Sequence, residues 1–498
     1  MWTTIVAAAV AVVAALLALR NVINFSPSLP VKHTTNGHLD TALRLDETTT
    51  AKNWSLLHHL GGYGPYVQKV HGVTYDSATP DHCRVEQVHM MARHTERFPT
   101  VTAGNHMLDL YQRIASANGT LNGSLEFANR WNFFSEQPHT DFEQLTRNGP
   151  HAGNLTASKL GMQLRSTYRN LLSTATTGRR LRLWASDSQR VIDTTKYFLD
   201  AFIGPDWPQS ADLQIVPETA DQGADTLTPG DTCLRYANDA DDFGWNYGSW
   251  IVDIFKSTYL DAIHHRLLED NPNLPLSENE LYVMQEMCAF ELMAIGESEW
   301  CNVFTHDDWE GFEYARDLLH YYRSGPGNPY SATMGWLWLN ATASLLLAGP
   351  EAGTLFLSFV HDGDIIPMLT ALDLFPQYSG MPVLNIRKDR TWRISDTVPM
   401  GARIIFERMT CGVSQECWSN EMYPNHLYCS PPEEDEFVRI VVNDRAVPLH
   451  ECDSGPGGSC HLSQFLQRIT QNGETLDNFQ EKCGLSDDSP KAITFLHQ

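Results

Sequence analysis

Three apolar stretches, far apart in the chain, each end in a short group of charged or polar residues, and this repetition limits the fold more than any other feature. The stretches lack glycine and proline, which is typical of buried strands. Because parallel strands present their carboxyl ends at one edge of an α/β sheet, the three groups should meet in one crevice. They are Val85–Ala92 followed by Arg93-His94-Thr95-Glu96-Arg97-Phe98-Pro99, Leu181–Ala185 followed by Ser186-Asp187-Ser188-Gln189-Arg190, and Thr354–Val360 followed by His361-Asp362-Gly363-Asp364.

The first of these groups indicates an anion-binding site. Arg93 and Arg97 flank His94, and the planar fork of each guanidinium matches a tetrahedral oxyanion. An imidazole between two such forks can attack what they hold. Arg190 starts a predicted helix over Val191–Phe202, where free backbone N–H groups also favour an anion.

The order of the predicted elements favours an α/β fold with a helical insertion. Residues 53–204 and 331–498 should form the two parts of the α/β domain, and residues 205–330 a smaller, mostly helical insertion. The helices predicted from their periodicity are Met107–Ala117, Ala157–Leu172, Trp250–His265, Glu278–Ile295, Asp307–Tyr322 and Thr333–Leu347. Further predicted strands are Val383–Ile386, Ala402–Glu407 and Val438–Val442. The segment Phe304-Thr305-His306-Asp307-Asp308-Trp309 should either cap a helix or border a pocket, and capping is favoured.

The amino terminus indicates export. Met1–Leu19 contains an apolar run that suits a signal peptide, so we assign residues 1–25 to a signal. No clean small-residue cleavage site is visible, so an uncleaved membrane anchor remains an alternative. Residues 26–52 read as a loosely held arm, and Leu56–Tyr66, with its glycines and aromatic residues, as a segment wrapped around the domain.

Cysteines and sequons agree with export. The chain has ten cysteines and no Cys-x-x-Cys pair, which favours disulfides over zinc. Close spacing suggests local bridges for Cys288/Cys301, Cys411/Cys417 and Cys452/Cys460, while the pairing of Cys83, Cys233, Cys429 and Cys483 stays open. Asn-x-Ser/Thr sequons occur at Asn24, Asn53, Asn118, Asn122, Asn154 and Asn340, of which the last five are the expected glycosylation sites.

The net charge constrains the partners. The chain has 35 basic and 60 acidic residues and a formal charge of −25, so nucleic acid is not expected as a partner. An anionic substrate needs a local positive pocket. In acid many carboxylates become protonated, so this composition also suits a secreted protein that works at low pH.

These motifs resemble the histidine acid phosphatases, in particular the fungal secreted acid phosphatase and phytase branch. The family signature is Arg-His-Gly-x-Arg-x-Pro with a distant His-Asp, and this chain has Arg93 through Pro99 and His361-Asp362. The resemblance runs from about Asn53 to Cys483. It implies a phosphoglycerate-mutase-like α/β sheet domain with a smaller helical domain, and secretion or a place in the cell wall or periplasmic space.

Carried over residue by residue, the resemblance implies roles for six side chains. His94 would be the nucleophile and Asp362 the proton donor to the leaving alcohol. The phosphate would be held by Arg93, Arg97, Arg190 and His361. The resemblance also implies the disulfides Cys83–Cys429, Cys233–Cys483, Cys288–Cys301, Cys411–Cys417 and Cys452–Cys460. No metal or other cofactor is implied, and related glycoproteins favour a homo-oligomer.

The chain departs from the signature at Thr95, where the family usually has glycine. A β-branched residue is strained at positive φ. We therefore expect the loop to pass through Thr95 with a negative φ.

The expected reaction is hydrolysis of phosphate monoesters through a phosphohistidine at His94. Nearby cations disfavour protonation of the imidazole, so it should stay nucleophilic in acid. An alternative is a 3-phytase that acts on inositol hexakisphosphate by the same mechanism, although few Lys and Arg lie outside the cluster to hold so charged a substrate. A phosphoryl-transferring mutase and a non-catalytic anion-binding glycoprotein are remoter alternatives, since export argues against the first and Asp362 against the second.

Overall fold

The computed structural model describes residues 54–67, 77–117, 119–412, 417–420, 423–429 and 434–498. Residues from Ala51 to the carboxyl terminus form one compact unit. The predicted signal, the arm at 26–52 and three of the sequons, Asn24, Asn53 and Asn118, lie outside the described residues. Of the remaining sequons, Asn122 is exposed and Asn154 and Asn340 are half-buried.

A mixed sheet runs through the described part of the chain. The strands are β1 Cys83–Arg93, β2 Leu181–Ser186, β3 Ala211–Val216, β4 Leu355–Val360, β5 Arg403–Gly412, β6 Cys417–Asn420, β7 Tyr423–Cys429, β8 Glu434–Val442, β9 Arg445–Ala446 and β10 Cys460–His461. The strand order in the sheet is β10-β8-β5-β1-β4-β2-β3, with β9 paired to β8, and β6 and β7 form a separate hairpin. Strands β1, β4, β2 and β3 are parallel, whereas β5 and β8 run antiparallel to their neighbours.

Helices pack on both faces of this sheet. The longer helices are α1 Val101–Ala115, α2 Gly153–Thr167, α3 Arg169–Thr176, α4 Gln189–Phe202, α5 Tyr247–Asp270, α6 Glu278–Ile295, α7 His306–Arg323, α8 Ser331–Ala348, α9 Asp362–Ala371 and α10 Leu462–Leu476. Short helices span Pro138–Asp141, Pro229–Thr232, Leu234–Ala237, Ile394–Thr397 and Phe479–Cys483.

Because successive side chains of a strand point to opposite faces, the hydrophobic core is divided between the two faces of the sheet. One set of side chains, which includes Val88 and Leu357, packs with Leu160 of α2 and Phe198 of α4. Phe406, on the other face of β5, contacts Trp338 of α8 and Phe465 of α10. Burial on both faces explains why β1 and β4 read as continuous apolar runs rather than as alternating patterns.

The structure confirms the α/β sheet and most of its predicted strands. The three strands that end in charged groups form as β1, β2 and β4, and the predicted strands at 402–407 and 438–442 lie in β5 and β8. The strand predicted at Val383–Ile386 is wrong, because this segment runs as a loop over α7. The hydroxyls of Tyr314 and Tyr322 donate to the carbonyls of Pro382 and Met381, so the chain immediately before this segment is bound to α7 rather than to the sheet.

The predicted insertion at 205–330 contains α5, α6 and α7 as expected, but it also contains β3, which pairs with β2 in the main sheet. The division of the chain into domains stays a prediction. Thr305 caps α7, since its hydroxyl accepts the N–H of Asp308 and the Asp308 carboxylate accepts the N–H of Thr305. Of the helices that the structure describes, none combines the length and the apolar character that a bilayer crossing requires.

Two of the expected disulfides are wrong. Cys83 bonds to Cys411, so neither Cys83–Cys429 nor Cys411–Cys417 forms. The reason is strand register, because Cys83 and Cys411 lie opposite each other in the antiparallel pair of β1 and β5, and Cys417 lies opposite Cys429 in the β6–β7 hairpin. The bridges Cys233–Cys483, Cys288–Cys301 and Cys452–Cys460 form as expected.

Candidate active site

The carboxyl ends of β1, β2 and β4 meet at one edge of the sheet. Arg93 at the end of β1 lies opposite Val360 at the end of β4, and the N–H of His94 donates to the Val360 carbonyl at 2.9 Å. β2 pairs with β4 on its other side, so the Ser186 hydroxyl lies 3.4 Å from Nε2 of His361. The fold thus brings together all six side chains to which the sequence assigns a role.

Three arginines surround His94, and we call Arg93, Arg97 and Arg190 the guanidinium cluster. Nη1 of Arg93 donates to the Gly62 carbonyl at 2.7 Å and to the Val398 carbonyl at 2.6 Å. Nη1 of Arg97 donates to the Phe98 carbonyl at 2.9 Å. These bonds to neutral carbonyls fix the guanidinium groups without neutralising their charge.

The guanidinium cluster holds hydrogen-bond donors that no group in the described residues accepts. The Nε atoms of Arg93, Arg97 and Arg190 are buried, and none of the three has a hydrogen-bond partner. A buried N–H without an acceptor costs about 1 to 3 kcal/mol. Three such donors around one histidine indicate a site built for an anion that brings several oxygen acceptors.

The imidazole of His94 is almost completely buried and held in one tautomer. Its Nδ1 lies 3.0 Å from the Thr95 carbonyl oxygen, to which only a protonated Nδ1 can donate. The neutral ring then carries its lone pair on Nε2. Burial, together with the charges of Arg190, Arg93 and Arg97, holds the pKa of His94 well below its usual range, so Nε2 remains unprotonated in acid.

His361 links β2, β3 and β4 at the same edge. Its Nε2 lies 2.9 Å from the Glu218 carboxylate, and its Nδ1 lies 3.3 Å from Nη2 of Arg190. Nε2 therefore donates to Glu218, and Nδ1 of the neutral ring accepts from Arg190. The rings of His361 and His94 meet edge to face, with their centroids 5.5 Å apart.

Asp362 begins α9 and pairs with the guanidinium cluster. Its Oδ2 lies 2.8 Å from Nη2 of Arg93, and its Oδ1 accepts the N–H of Gly363 at 2.9 Å. Burial by itself would raise the pKa of Asp362. The positive field of Arg93 outweighs burial and lowers that pKa well below its usual range. Without a bound anion, Asp362 is therefore ionised.

Thr95 has a negative φ, as predicted, since it is absent from the positive-φ residues of the described chain. Its hydroxyl donates to the Gly153 carbonyl at 2.8 Å, and its N–H donates to the Thr194 hydroxyl at 3.1 Å. The threonine therefore ties the loop to α2 and α4. Gly153 permits this approach, because a Cβ there would lie 2.0 Å from the Glu96 carbonyl oxygen.

The segment at 54–67, which the sequence predicted as a wrapping segment, contributes to the site. Its Gly62 carbonyl holds Arg93, and the N–H of Tyr66 donates to the buried Glu96 carboxylate at 2.9 Å. The Tyr63 ring covers the Arg316 guanidinium at 3.7 Å. Arg316 and its neighbour His320 were not predicted from the sequence, because their spacing of four on α7 gives no sign that α7 turns them inward.

Two carboxylates at the site were also missed. Glu218 follows β3, so the rule that strand ends carry the chemistry could have found it, had β3 been recognised as a strand. Glu143 pairs with Nη1 of Arg190, and no sequence pattern marks it. In the residues that the structure describes, no group of three or more His, Cys, Asp and Glu side chains is arranged to hold a metal ion. That the chemistry needs no metal stays a prediction.

The sequence that forms this site matches a known protein family. The sequence model described as histidine phosphatase superfamily, branch 2, matches residues 84–443. The matched range contains all three strand-end groups.

Individual relatives match over most of their length. The phytase PHO112 of Candida albicans is 30% identical over 90% of this chain and 91% of its own. The acid phosphatase PHO1 of Komagataella pastoris is 31% identical over 88% of each chain. The crystal structure of the phytase from D. castellii superposes with a TM-score of 0.79 at 29% identity, covering 91% of this chain and 92% of that one.

Proposed function

Because the chain belongs to branch 2 of the histidine phosphatase superfamily, we propose that it is a phosphoric monoester hydrolase that acts as an acid phosphatase through a phosphohistidine at His94. The observation that carries the proposal is the setting of His94. A neutral imidazole, with Nδ1 bound to the Thr95 carbonyl, lies among three guanidinium groups that hold unused buried donors.

The guanidinium cluster holds the phosphoryl group and His361 positions Arg190 for this role, while direct contact of His361 with the phosphate stays a prediction. The transition state carries negative charge on the phosphoryl oxygens, and fixed cations stabilise that charge more strongly inside a buried site than in water. We assign the N–H groups of Arg93, Arg97 and Arg190 as the donors to these oxygens. Nδ1 of His361 accepts from Arg190, and its Nε2 donates to Glu218, which fixes the imidazole beside the nucleophile.

The first chemical step forms a bond from Nε2 of His94 to phosphorus and breaks the bond to the ester oxygen. Asp362 gives its proton to the departing alkoxide. In the second step water attacks phosphorus, the nitrogen–phosphorus bond breaks, and the Asp362 carboxylate takes the proton of the water. Phosphate then leaves, and His94 is again neutral.

The ionised state of Asp362 in the free site explains why the reaction suits acid. Arg93 is the main cause of the low Asp362 pKa, and a bound phosphate would neutralise part of the charge of Arg93. The pKa of Asp362 then rises in the complex. Low pH populates the protonated carboxyl that the leaving group needs, so activity should fall towards neutral pH.

Trapping the intermediate tests the nucleophile. The enzyme is mixed with a ³²P-labelled monoester and quenched in alkali, where phosphohistidine survives. We expect label on the wild-type chain at His94 and none on His94→Ala, together with loss of turnover. Label on another residue, or turnover by a purified and folded His94→Ala, would contradict the proposal.

Leaving-group dependence tests the proton donor. Asp362→Asn should lower kcat on an alkyl phosphate by about 10²- to 10⁴-fold and affect nitrophenyl phosphate far less, because nitrophenolate leaves without a proton. Equal losses on both substrates would remove the acid role from Asp362.

A phytase is the second candidate, because a phytase of 29% identity shares the fold over 91% of this chain. The chemistry at phosphorus is the same, and only the surroundings of the scissile phosphate decide between the two. Release of phosphate from inositol hexakisphosphate and from a small aryl phosphate, compared by kcat/KM, distinguishes them.

The disulfides support export, because such bonds form and persist in oxidising compartments. We propose that the protein is secreted or retained in the cell wall or periplasmic space, and that it forms a homo-oligomer. Amino-terminal sequencing of exported material distinguishes a cleaved signal from an anchor, and sedimentation of the glycosylated protein gives the oligomeric state.

A further inference from the structure

A carboxylate occupies the rim of a site that is otherwise arranged for anions. The Glu143 side chain forms an ion pair with Nη1 of Arg190. Arg190 is the arginine whose other terminal nitrogen contacts His361. A negative charge beside an anion-binding guanidinium opposes binding of every anionic substrate, so its position requires an explanation.

The backbone holds Glu143 in this position. Its φ is +70°, a conformation that is uncommon for residues other than glycine. The N–H of Glu143 donates to the Pro99 carbonyl, and the N–H of Phe98 donates to the Gln144 carbonyl, each at 2.9 Å. The segment around Glu143 thus lies directly against the loop that follows His94.

The side chain is fixed at both oxygens. Oε1 accepts the N–H of Val101, the first residue of α1, at 3.1 Å, while Oε2 contacts Arg190. The Glu143 side chain is 31% exposed and the Arg190 side chain 19%. Both charges are therefore partly exposed whereas His94 is buried, so Glu143 lies on the solvent side of the phosphate site.

We propose that Glu143 is a specificity-determining residue that disfavours esters carrying further phosphate groups near the scissile one and so favours monoesters of uncharged alcohols. The inference rests on the proposed phosphatase function and deepens it. The scissile phosphate gains more from the three arginines than it loses to one carboxylate. A second phosphate outside the pocket is repelled by Glu143, and attraction to the three arginines does not offset this repulsion.

A purely structural role for Glu143 makes a different prediction. If the carboxylate only positioned Arg190, its loss would weaken hydrolysis of every monoester by the same factor. If Glu143 instead repels additional phosphate groups, its loss changes the ratio of kcat/KM between the two kinds of ester. Hydrolysis of the monoester of an uncharged alcohol then stays nearly unaffected. The ratio is therefore the decisive measurement.

The test compares kcat/KM for inositol hexakisphosphate and nitrophenyl phosphate in the wild type and in Glu143→Gln, which keeps the shape and removes the charge. We expect the ratio to shift towards the hexakisphosphate by about threefold to tenfold, mainly through KM. The shift should shrink at salt on the order of 1 M, where charges are screened. Glu143→Asn, which tolerates positive φ better than glutamine, should shift the ratio in the same direction.

Two matched variants serve as controls. Glu143→Asp retains the charge and should keep the wild-type ratio. Asp212→Asn removes a carboxylate that also pairs with an arginine, Arg180, but lies near the start of β3, at the opposite end of the sheet, and should change nothing.

An unchanged ratio in Glu143→Gln, or an equal loss on both substrates, overturns the inference and leaves the phosphatase function standing. If the wild-type protein hydrolyses neither substrate nor any other monoester, the proposed function is wrong and the inference fails with it.

Discussion

Two groups of charged side chains in this molecule both contain buried arginines, but they differ in whether each charge has a counter-charge. One is the guanidinium cluster. The other, which we call the α7 ion-pair cluster, consists of Glu313, Asp317, Arg390 and Arg393. In the α7 ion-pair cluster Nε of Arg390 lies 2.5 Å from Asp317, and its Nη2 lies 3.1 Å from Glu313, so each buried charge has a counter-charge.

The guanidinium cluster lacks this balance. Arg93 pairs with Asp362 and Arg190 with Glu143, while Arg97 contacts the Phe98 carbonyl and the Phe290 ring. Buried arginine is therefore not by itself the mark of a binding site. What distinguishes the site is its excess of positive charge around His94, because a buried N–H without an acceptor also occurs at Nη2 of Arg390 in the α7 ion-pair cluster.

The largest effect that tests this difference between the two clusters is expected on the stability of the α7 ion-pair cluster. Arg390→Met leaves the fully buried Asp317 without its cation, and breaking a buried pair in this way costs about 3 to 5 kcal/mol of unfolding free energy. Urea unfolding followed by tryptophan fluorescence measures this. At temperatures where the variant is folded, kcat on nitrophenyl phosphate should stay within about threefold of wild type, because no residue of this cluster contacts the phosphoryl site.

A double variant serves as the control for that prediction. Arg390→Met with Asp317→Leu removes both buried charges and should recover most of the lost stability. If the single variant unfolds like wild type, or if it loses kcat by orders of magnitude while folded, the assignment of this cluster to stability alone is wrong.

In the guanidinium cluster we expect a substitution to lower activity and to leave stability intact. Arg97→Met removes one cation that stabilises the transition state, so kcat/KM should fall by about 10²- to 10³-fold. Unfolding free energy should stay equal or rise, because Arg93 and Arg190 lose a like-charged neighbour. Arg130→Met, at an exposed ion pair with Glu299, should change neither quantity. A large loss of stability in Arg97→Met would mean that the two clusters do not differ as described.

The sequence was sufficient to predict how the main site assembles, for a physical reason. Parallel strands bring their carboxyl ends to one edge, so motifs separated by some 90 to 270 residues in the chain become neighbours. His94, Arg190 and His361 are such residues. Each follows a strand that burial on both faces makes recognisable as an apolar run.

The residues that sequence reasoning missed have no such local signal. Glu143 reaches Arg190 because an irregular loop lies beside Pro99, and Arg316 enters the site because α7 turns one face inward. The wrong disulfides have the same origin, since the pairing of Cys83 with Cys411 depends on the register of β1 against β5, which spacing along the chain does not encode.

His89 extends the comparison to a buried group with no charged partner. It lies in β1, stacks on Phe356, and neither ring nitrogen has a hydrogen-bond partner in the described residues. Burial lowers the pKa of His89 to about 3, whereas an unfolded histidine has a pKa of about 6.5. Between these values the unfolded state binds the extra proton, so stability falls as the pH falls, by about 1.4 kcal/mol per unit.

Replacing His89 should therefore improve stability in acid. His89→Leu should gain about 2 kcal/mol of unfolding free energy at about pH 5 relative to its effect at neutral pH. Denaturant unfolding at both pH values measures the difference. The exposed His265 of α5 is the control, and His265→Gln should leave the pH dependence of stability as in wild type. A His89→Leu profile parallel to the wild-type profile would contradict the prediction.

Thr95 gives the smallest expected effect and tests whether neutral hydrogen bonds support the loop that carries His94 within the guanidinium cluster. Thr95→Gly removes the hydroxyl that donates to Gly153 and frees the backbone, which together cost about 1 to 2 kcal/mol of unfolding free energy. Because the Thr95 carbonyl fixes the His94 tautomer, a looser backbone should lower kcat by about twofold to threefold and leave KM unchanged. Thr95→Ser keeps the hydroxyl and should retain wild-type kcat. If glycine instead stabilised the protein and raised kcat, the threonine would be a strained substitution at this position rather than a support for it.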